Sequence, residues 1–107
     1  MNSMICHSTD NTFKQDLHSE GITLVNFWAP WCSPCRMFGP VLEDYDATLQ
    51  DDVRILKINV DENAEISSRY SVMSLPTTIL FKDGKPIDKK IGMLPKEVLA
   101  GWVASFY

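Results

Sequence analysis

The sequence predicts an α/β fold, and three patterns in it carry that prediction. An apolar run over residues 22–29 leads directly into an amphipathic helical pattern. A second strand-like run, residues 53–60, follows that helix, so the two runs and the helix form a βαβ unit. Near the end, a hairpin pattern over residues 77–91 precedes a last helix with one apolar face. The resulting order is β-α-β-α-β-α-β-β-α. With 107 residues the chain is expected to form a single domain over 1–107.

Met4 to His7 forms a short first strand. Ser8-Thr9-Asp10-Asn11 supplies helix-capping side chains, and Phe13 and Leu17 then recur at helical spacing until Gly21. Ile22 to Ala29 is apolar on both faces apart from Thr23 and Asn26, which suits a central strand covered on both sides. After Cys32 and Cys35, the residues Phe38, Val41, Leu42, Tyr45 and Leu49 share one helix face, and Pro40 within it predicts a kink. Val53 to Val60 is the next strand. Asp61-Glu62-Asn63 leads from it into a short helix ending near Tyr70. The unit over 22–60 should cross over with right-handed topology. Thr77 to Lys82, an Asp83-Gly84 turn and Pro86 to Ile91 read as a hairpin. Pro86 suits the beginning of an edge strand. Pro95 fits the first turn of the last helix, whose Val98, Leu99, Trp102, Val103 and Phe106 lie on one face.

Composition narrows the function. A hydrophobic share of 45 % with 22 % charged residues is ordinary for a globular chain. The net charge of −4 argues against general phosphate binding, so no nucleic-acid partner is expected. Residues 1–8 show neither a basic segment nor an apolar stretch of signal-peptide length. No apolar run approaches the roughly 20 residues a bilayer span needs. The expectation is a cytoplasmic monomer with no membrane association. Three cysteines do not make a secreted disulfide framework. Cys6 reads as a small buried hydrophobe on the first strand, with a redox-sensing or intermolecular role as the sharper alternative. His7 and His18 read as surface or strand-end residues rather than metal ligands. Asp61 and Glu62 read as a loop and helix-cap cluster rather than a catalytic carboxylate pair. Lys82, Lys85, Lys89 and Lys90 fit the solvated face of an edge hairpin, where they discourage strand addition.

The chemistry concentrates in Trp31-Cys32-Ser33-Pro34-Cys35, at the junction between the apolar strand and the following helix. Two thiols at this spacing can close into a small disulfide and reopen by exchange. A helix N-terminus favours negative charge through its unpaired N–H groups and dipole, by about 1 kcal/mol and up to ~2 kcal/mol when partly buried. At ~1.4 kcal/mol per pKa unit, that lowers the first thiol by roughly one unit. Thiolates attack disulfides and thiols do not. By itself a C-x-x-C is weak evidence, because zinc sites use the same spacing.

The surrounding residues make the likeness specific. Val25-Asn26-Phe27-Trp28-Ala29-Pro30 before the pair, Arg36-Met37 after it, then Pro40, Lys57-Ile58-Asn59-Val60-Asp61, Ser74-Leu75-Pro76-Thr77, Phe81-Lys82-Asp83-Gly84 and Gly92 together resemble the thioredoxin family across nearly the whole chain. The resemblance implies the thioredoxin fold, with a central mixed β-sheet flanked by helices. It also implies a protein-disulfide reductase that binds no cofactor or metal and works through a redox-active Cys32–Cys35 disulfide. Cys32 would be the attacking thiolate and Cys35 the resolving thiol. Pro76 corresponds to the family's cis proline. Trp31, Val60, Ser74, Leu75, Pro76, Gly92 and Met93 would line a shallow apolar groove, with Trp28 packed beneath the loop. Asn26, Lys57, Ser33, Pro34, Trp31 and Pro76 would support the chemistry. The implied partners are disulfide-containing target proteins and a flavin- and NADPH-dependent thioredoxin reductase. A disulfide oxidant or isomerase, and an interaction module with little turnover, are the alternatives.

Two residues depart from the family pattern. Asn26 stands where the family usually has a buried aspartate that helps deprotonate the resolving cysteine. Asparagine can orient a water but accepts no proton at ordinary pH. Slower resolution of mixed disulfides is therefore expected, with Lys57 left either as a partly buried ammonium or snorkelling outward. Ser33 replaces the common glycine, and its hydroxyl could hydrogen-bond a thiolate. Couples of this architecture span ~−270 to ~−120 mV. Pro34, with no histidine in the dipeptide, places this one toward the reducing end. Ser74 is a milder change that bears on which substrates fit.

Overall fold

The computed structural model describes residues 5–48 and 53–107; Met4 and Leu49, assigned above to the first strand and to the helix after the cysteines, lie outside them. The elements are β1 (Ile5–His7), α1 (Phe13–Asp16), β2 (Ile22–Trp28), α2 (Ser33–Ala47), β3 (Val53–Asn59), α3 (Ala64–Arg69), β4 (Thr77–Lys82), β5 (Lys85–Ile91) and α4 (Lys96–Ala104). This is the expected order. The five strands form one mixed sheet, β1-β3-β2-β4-β5. β3 runs parallel to β1 and β2, while β4 is antiparallel to β2 and β5.

β2 occupies the centre, as its two-sided apolar pattern requires. Ile22 and Leu24 pack with Phe38, Leu42 and Tyr45 of α2 and with Leu99, Trp102 and Val103 of α4. Val25 and Phe27 point the other way, into a cluster with Phe13, Leu56, Ile58, Ile66 and Phe81. Phe13, Tyr70 and Phe81 meet edge to face there, with centroids 5.5 to 5.9 Å apart. Asn26, the polar exception on β2, lies in register with Lys57 on β3 and Thr78 on β4.

The hairpin closes through Asp83 and Gly84 with φ of 53° and 83°, the left-handed pair that a two-residue type I′ turn needs. Pro86 is the second residue of β5, and β5 is an edge strand. α2 continues through Pro40 without a break in its assignment.

Three local expectations change. α1 is one turn long rather than extending toward Gly21, because Leu17 already has extended dihedrals of −76° and 117°. Asp10 does not cap α1. Its Oδ1 accepts from Ile66 N at 2.8 Å and its Oδ2 from Glu65 N at 3.4 Å, so it caps α3 from a distance in sequence. Asp61 and Glu62 are likewise not the caps of α3, whose N-cap is Asn63.

Candidate active site

The C-terminal end of β2 feeds through Ala29-Pro30-Trp31 into α2, so the cysteine pair sits at the sheet edge where α/β folds bind ligands. Cys32 is the N-cap of α2, with φ −90° and ψ 110°, and its Sγ accepts a hydrogen bond from Cys35 N at 3.2 Å. A sulfur therefore occupies the anion-favouring position that Ser or Asp commonly fills. Pro34 lies in the first turn, where its missing N–H removes no intrahelical bond. The two sulfurs are joined in a disulfide, with Cα atoms 5.3 Å apart.

Cys32 and Cys35 are 6 % and 5 % exposed, so burial does not tell them apart. Position does. Cys32 lines an open hollow of about 610 Å³, together with Trp31, Ser33, Pro34, Val60, Val72, Met73 and Leu75, and Cys35 does not. Cys35 packs in a cluster with Ala29 and Cys32, against which Trp28, Val60 and Leu75 pack.

Of the residues assigned to the groove, Trp31, Val60 and Leu75 line this hollow. The Leu75–Pro76 bond is cis. Pro76 is buried, and its carbonyl accepts from Gly92 N at 2.8 Å, which ties the residue 91–93 segment to the site. Met93 is 40 % exposed on that segment. Ser74 is exposed, and its carbonyl takes the Thr77 hydroxyl at 2.5 Å. Ser74, Pro76, Gly92 and Met93 are not among the walls of the hollow itself. Val72 and Met73 are, and sequence reasoning missed both. Met73 is 92 % exposed, and no periodicity marks a lone methionine in a loop.

Asp61 is the other residue the sequence did not assign to the site. Trp31 donates its indole N–H to Asp61 Oδ1 and Oδ2, both at 3.1 Å, so this carboxylate holds the exposed rim of the groove. Ser33 Oγ accepts from Arg36 Nη2 at 3.4 Å, while Arg36 Nη1 donates to the Pro30 carbonyl at 3.2 Å. In this disulfide state the serine hydroxyl is thus engaged by a guanidinium that spans the active-site loop.

Asn26 is 2 % exposed and donates Nδ2 to Thr78 Oγ1 at 3.3 Å. Lys57 does not snorkel free. It is half-buried, with Nζ 4.9 Å from the centroid of the Trp28 ring. Burial lowers its pKa from the ordinary lysine value, and the Glu43 carboxylate offsets part of that.

Cys6 is a free thiol, partly buried against the α1 side of the sheet. Burial, and next the charge of Asp16, push its pKa up against a smaller opposing effect of Arg54, so it is poorly ionised. His7 and His18 are exposed. Among the described residues no group of three or more His, Cys, Asp or Glu could hold a metal ion, and no helix is long and apolar enough to cross a membrane.

The chain matches the family model described as Thioredoxin over residues 4–105. It is 47 % identical over 95 residues to a protein named Thioredoxin from Bacillus subtilis (strain 168), covering 89 % of this chain and 90 % of that one. Thioredoxin from Alicyclobacillus acidocaldarius is 48 % identical over 96 residues, 90 % of this chain and 91 % of the relative. Thioredoxin from Staphylococcus aureus (strain Mu50) is 51 % identical over 92 residues, 86 % and 88 % of the two chains.

Proposed function

The chain belongs to the thioredoxin family, and we propose that its thiol–disulfide reductase activity runs as a two-step cycle through Cys32 and Cys35. The Cys32 thiolate attacks one sulfur of a target disulfide, forms a mixed disulfide and releases the first target thiolate. Cys35 then loses its proton and attacks Cys32 Sγ, which closes the Cys32–Cys35 disulfide and releases the second target thiolate. Two electrons pass from the dithiol to the target, and no metal or bound cofactor takes part.

The observation that carries this reading is the placement of Cys32, whose sulfur is the N-cap acceptor of α2 at the wall of an apolar hollow that Cys35 does not line. Trp31, Val60 and Leu75 offer apolar surface to the polypeptide around a target cysteine, and Pro34 keeps the first turn of α2 in shape. Pro76, Ser74, Gly92 and Met93 extend that surface beside the hollow. Disulfide-bearing proteins are the substrates, and a thioredoxin reductase returns the disulfide to the dithiol. The chain works as one domain, as a monomer, in the cytoplasm.

An insulin-type disulfide reduction assay with a thioredoxin reductase and NADPH tests the reading. Turnover should be lost in Cys32→Ser, while Cys35→Ser should accumulate a mixed disulfide with its target. A Cys32→Ser variant with full function would replace the enzyme with a binding module. Equilibration with glutathione tests the potential, which belongs toward the reducing end; a strongly oxidising value would instead make the chain an oxidant.

A further inference from the structure

Methionine is ordinarily a core residue, yet the three methionines among the described residues all lie at the surface. Met73 is 92 % exposed, Met37 61 % and Met93 40 %. Met37 follows Cys35 by two residues on α2, and Met93 follows Gly92, whose N–H bonds the Pro76 carbonyl. Met73 alone of the three stands in the wall of the hollow, with Trp31, Cys32, Val60, Val72 and Leu75. A side chain so exposed contributes little to the fold. Its apolar surface counts when a target polypeptide covers the wall.

The other sulfurs near the hollow are protected from oxidants. Cys32 and Cys35 are 6 % and 5 % exposed and share a disulfide, so in this state neither offers a thiolate. Cys6 is partly buried, and burial raises its pKa, which leaves it poorly ionised. In the disulfide state, Met73 is therefore the exposed oxidisable sulfur of the hollow.

Resting on the Cys32/Cys35 cycle proposed above, we infer that Met73 is an oxidation site through which peroxide weakens the docking of protein targets. Hydrogen peroxide transfers one oxygen atom to Met73 Sδ. The thioether is oxidised by two electrons to the sulfoxide, the O–O bond breaks, and water leaves. The product is polar and chiral where the thioether was apolar. A target segment that covers this wall then buries a strong acceptor and loses an apolar contact. One methylene-sized contact corresponds to about fourfold in affinity. Cys32 Sγ and its bond from Cys35 N stay as they are, so attack on a small disulfide that does not cover the wall is unaffected. A methionine sulfoxide reductase reverses the step, consuming a dithiol and releasing water.

The test starts from the disulfide form of the full chain, treated with hydrogen peroxide. Peptide mass spectrometry reads the oxygen added at Met73, and dithiothreitol then returns the cysteines to the dithiol. Single-turnover reduction of insulin should slow about fourfold, while reduction of dithiobis(nitrobenzoate) keeps its rate. Incubation with a methionine sulfoxide reductase should bring the insulin rate back. Met73→Leu should reduce insulin equally fast before and after treatment. Met73→Gln should start near the rate of the oxidised wild type. An insulin rate that survives full conversion of Met73 overturns the proposal, and so does a Met73 left unoxidised while Met37 converts. Equal slowing in Met73→Leu overturns it by moving the effect to another residue. Slowing toward both disulfides alike overturns it by placing the damage at the cysteines. Untreated protein inert toward both disulfides would strike the Cys32/Cys35 cycle itself, which is a separate result.

Discussion

Asn26 shows how one polar residue is accommodated in a central strand. A buried primary amide is costly unless its donors and acceptors are met, and Thr78 on the neighbouring strand takes one N–H at 3.3 Å. Thr78→Val keeps the shape and removes that acceptor. It should lower stability by about 1–2 kcal/mol, measured by urea unfolding, while attack by Cys32 on a target disulfide persists. At the rim, Asp61 fixes Trp31 by accepting its indole N–H on both oxygens. Asp61→Ala should raise KM for protein targets several-fold and leave kcat nearly unchanged, because the indole contributes surface rather than chemistry; an equal fall in kcat would place Asp61 in the reaction. The cysteine pair could be read from the sequence because its chemistry is local. The Trp31–Asp61 contact could not, because it joins residues 30 positions apart and Asp61 looks like an ordinary cap before a short helix.

At the level of elements, two helix N-termini set the architecture around the site in different ways. α2 begins on the sulfur of Cys32, so the same four residues make the helix start and the redox centre. α3 begins on Asn63, whose side chain makes no capping bond, and relies on Asp10 from the β1–α1 connection. Asn63 Oδ1 returns the link by accepting from Asp10 N at 2.9 Å. Asp10→Ala should therefore cost about 1 kcal/mol, within the usual 0.5–2 kcal/mol for a lost cap. Asp10→Asn should cost less, since an amide oxygen still accepts. Equal stability of Asp10→Ala and the wild type in urea would remove this link from the account. Strand periodicity and turn chemistry were legible: β2 as the central strand, the Asp83-Gly84 turn and the β5 edge all follow from local pattern. The short α1 was not, since Asp10 of its capping-rich prelude serves α3, and only tertiary proximity of residues 10 and 65–66 reveals that.

Across the whole molecule, the two apolar faces of β2 explain why a sheet of five strands carries helices on both sides, and why the polar Asn26, Lys57 and Thr78 can share one register beneath α2. The order of elements follows from hydrophobic pattern, whereas the sheet order needs contacts that the pattern does not contain. One such contact is at the far edge. Trp102 of α4 is 7 % exposed in the core and donates Nε1 to Asp88 Oδ2 on β5 at 2.8 Å. This fastens the last helix to the edge strand. The Trp102 hydrogen bond first, then the Lys89 N–H, hold the Asp88 carboxyl below its usual pKa; burial opposes them, and the charge of Lys90 adds a smaller lowering effect. A carboxylate whose folded pKa is depressed binds fewer protons in the folded state than in the unfolded one. Its stabilising contribution is complete above the unfolded value, about 3.9, and is lost as pH falls through the folded value. Asp88→Asn should accordingly be less stable than the wild type at pH 7. That difference should shrink as pH drops below about 4 and close once the wild-type carboxylate is protonated. Urea midpoints of both proteins, taken across that range at fixed ionic strength, check the prediction. A gap that persists undiminished at the acid end would mean that the Asp88 charge does not contribute, and that only the shape of the Trp102 contact matters.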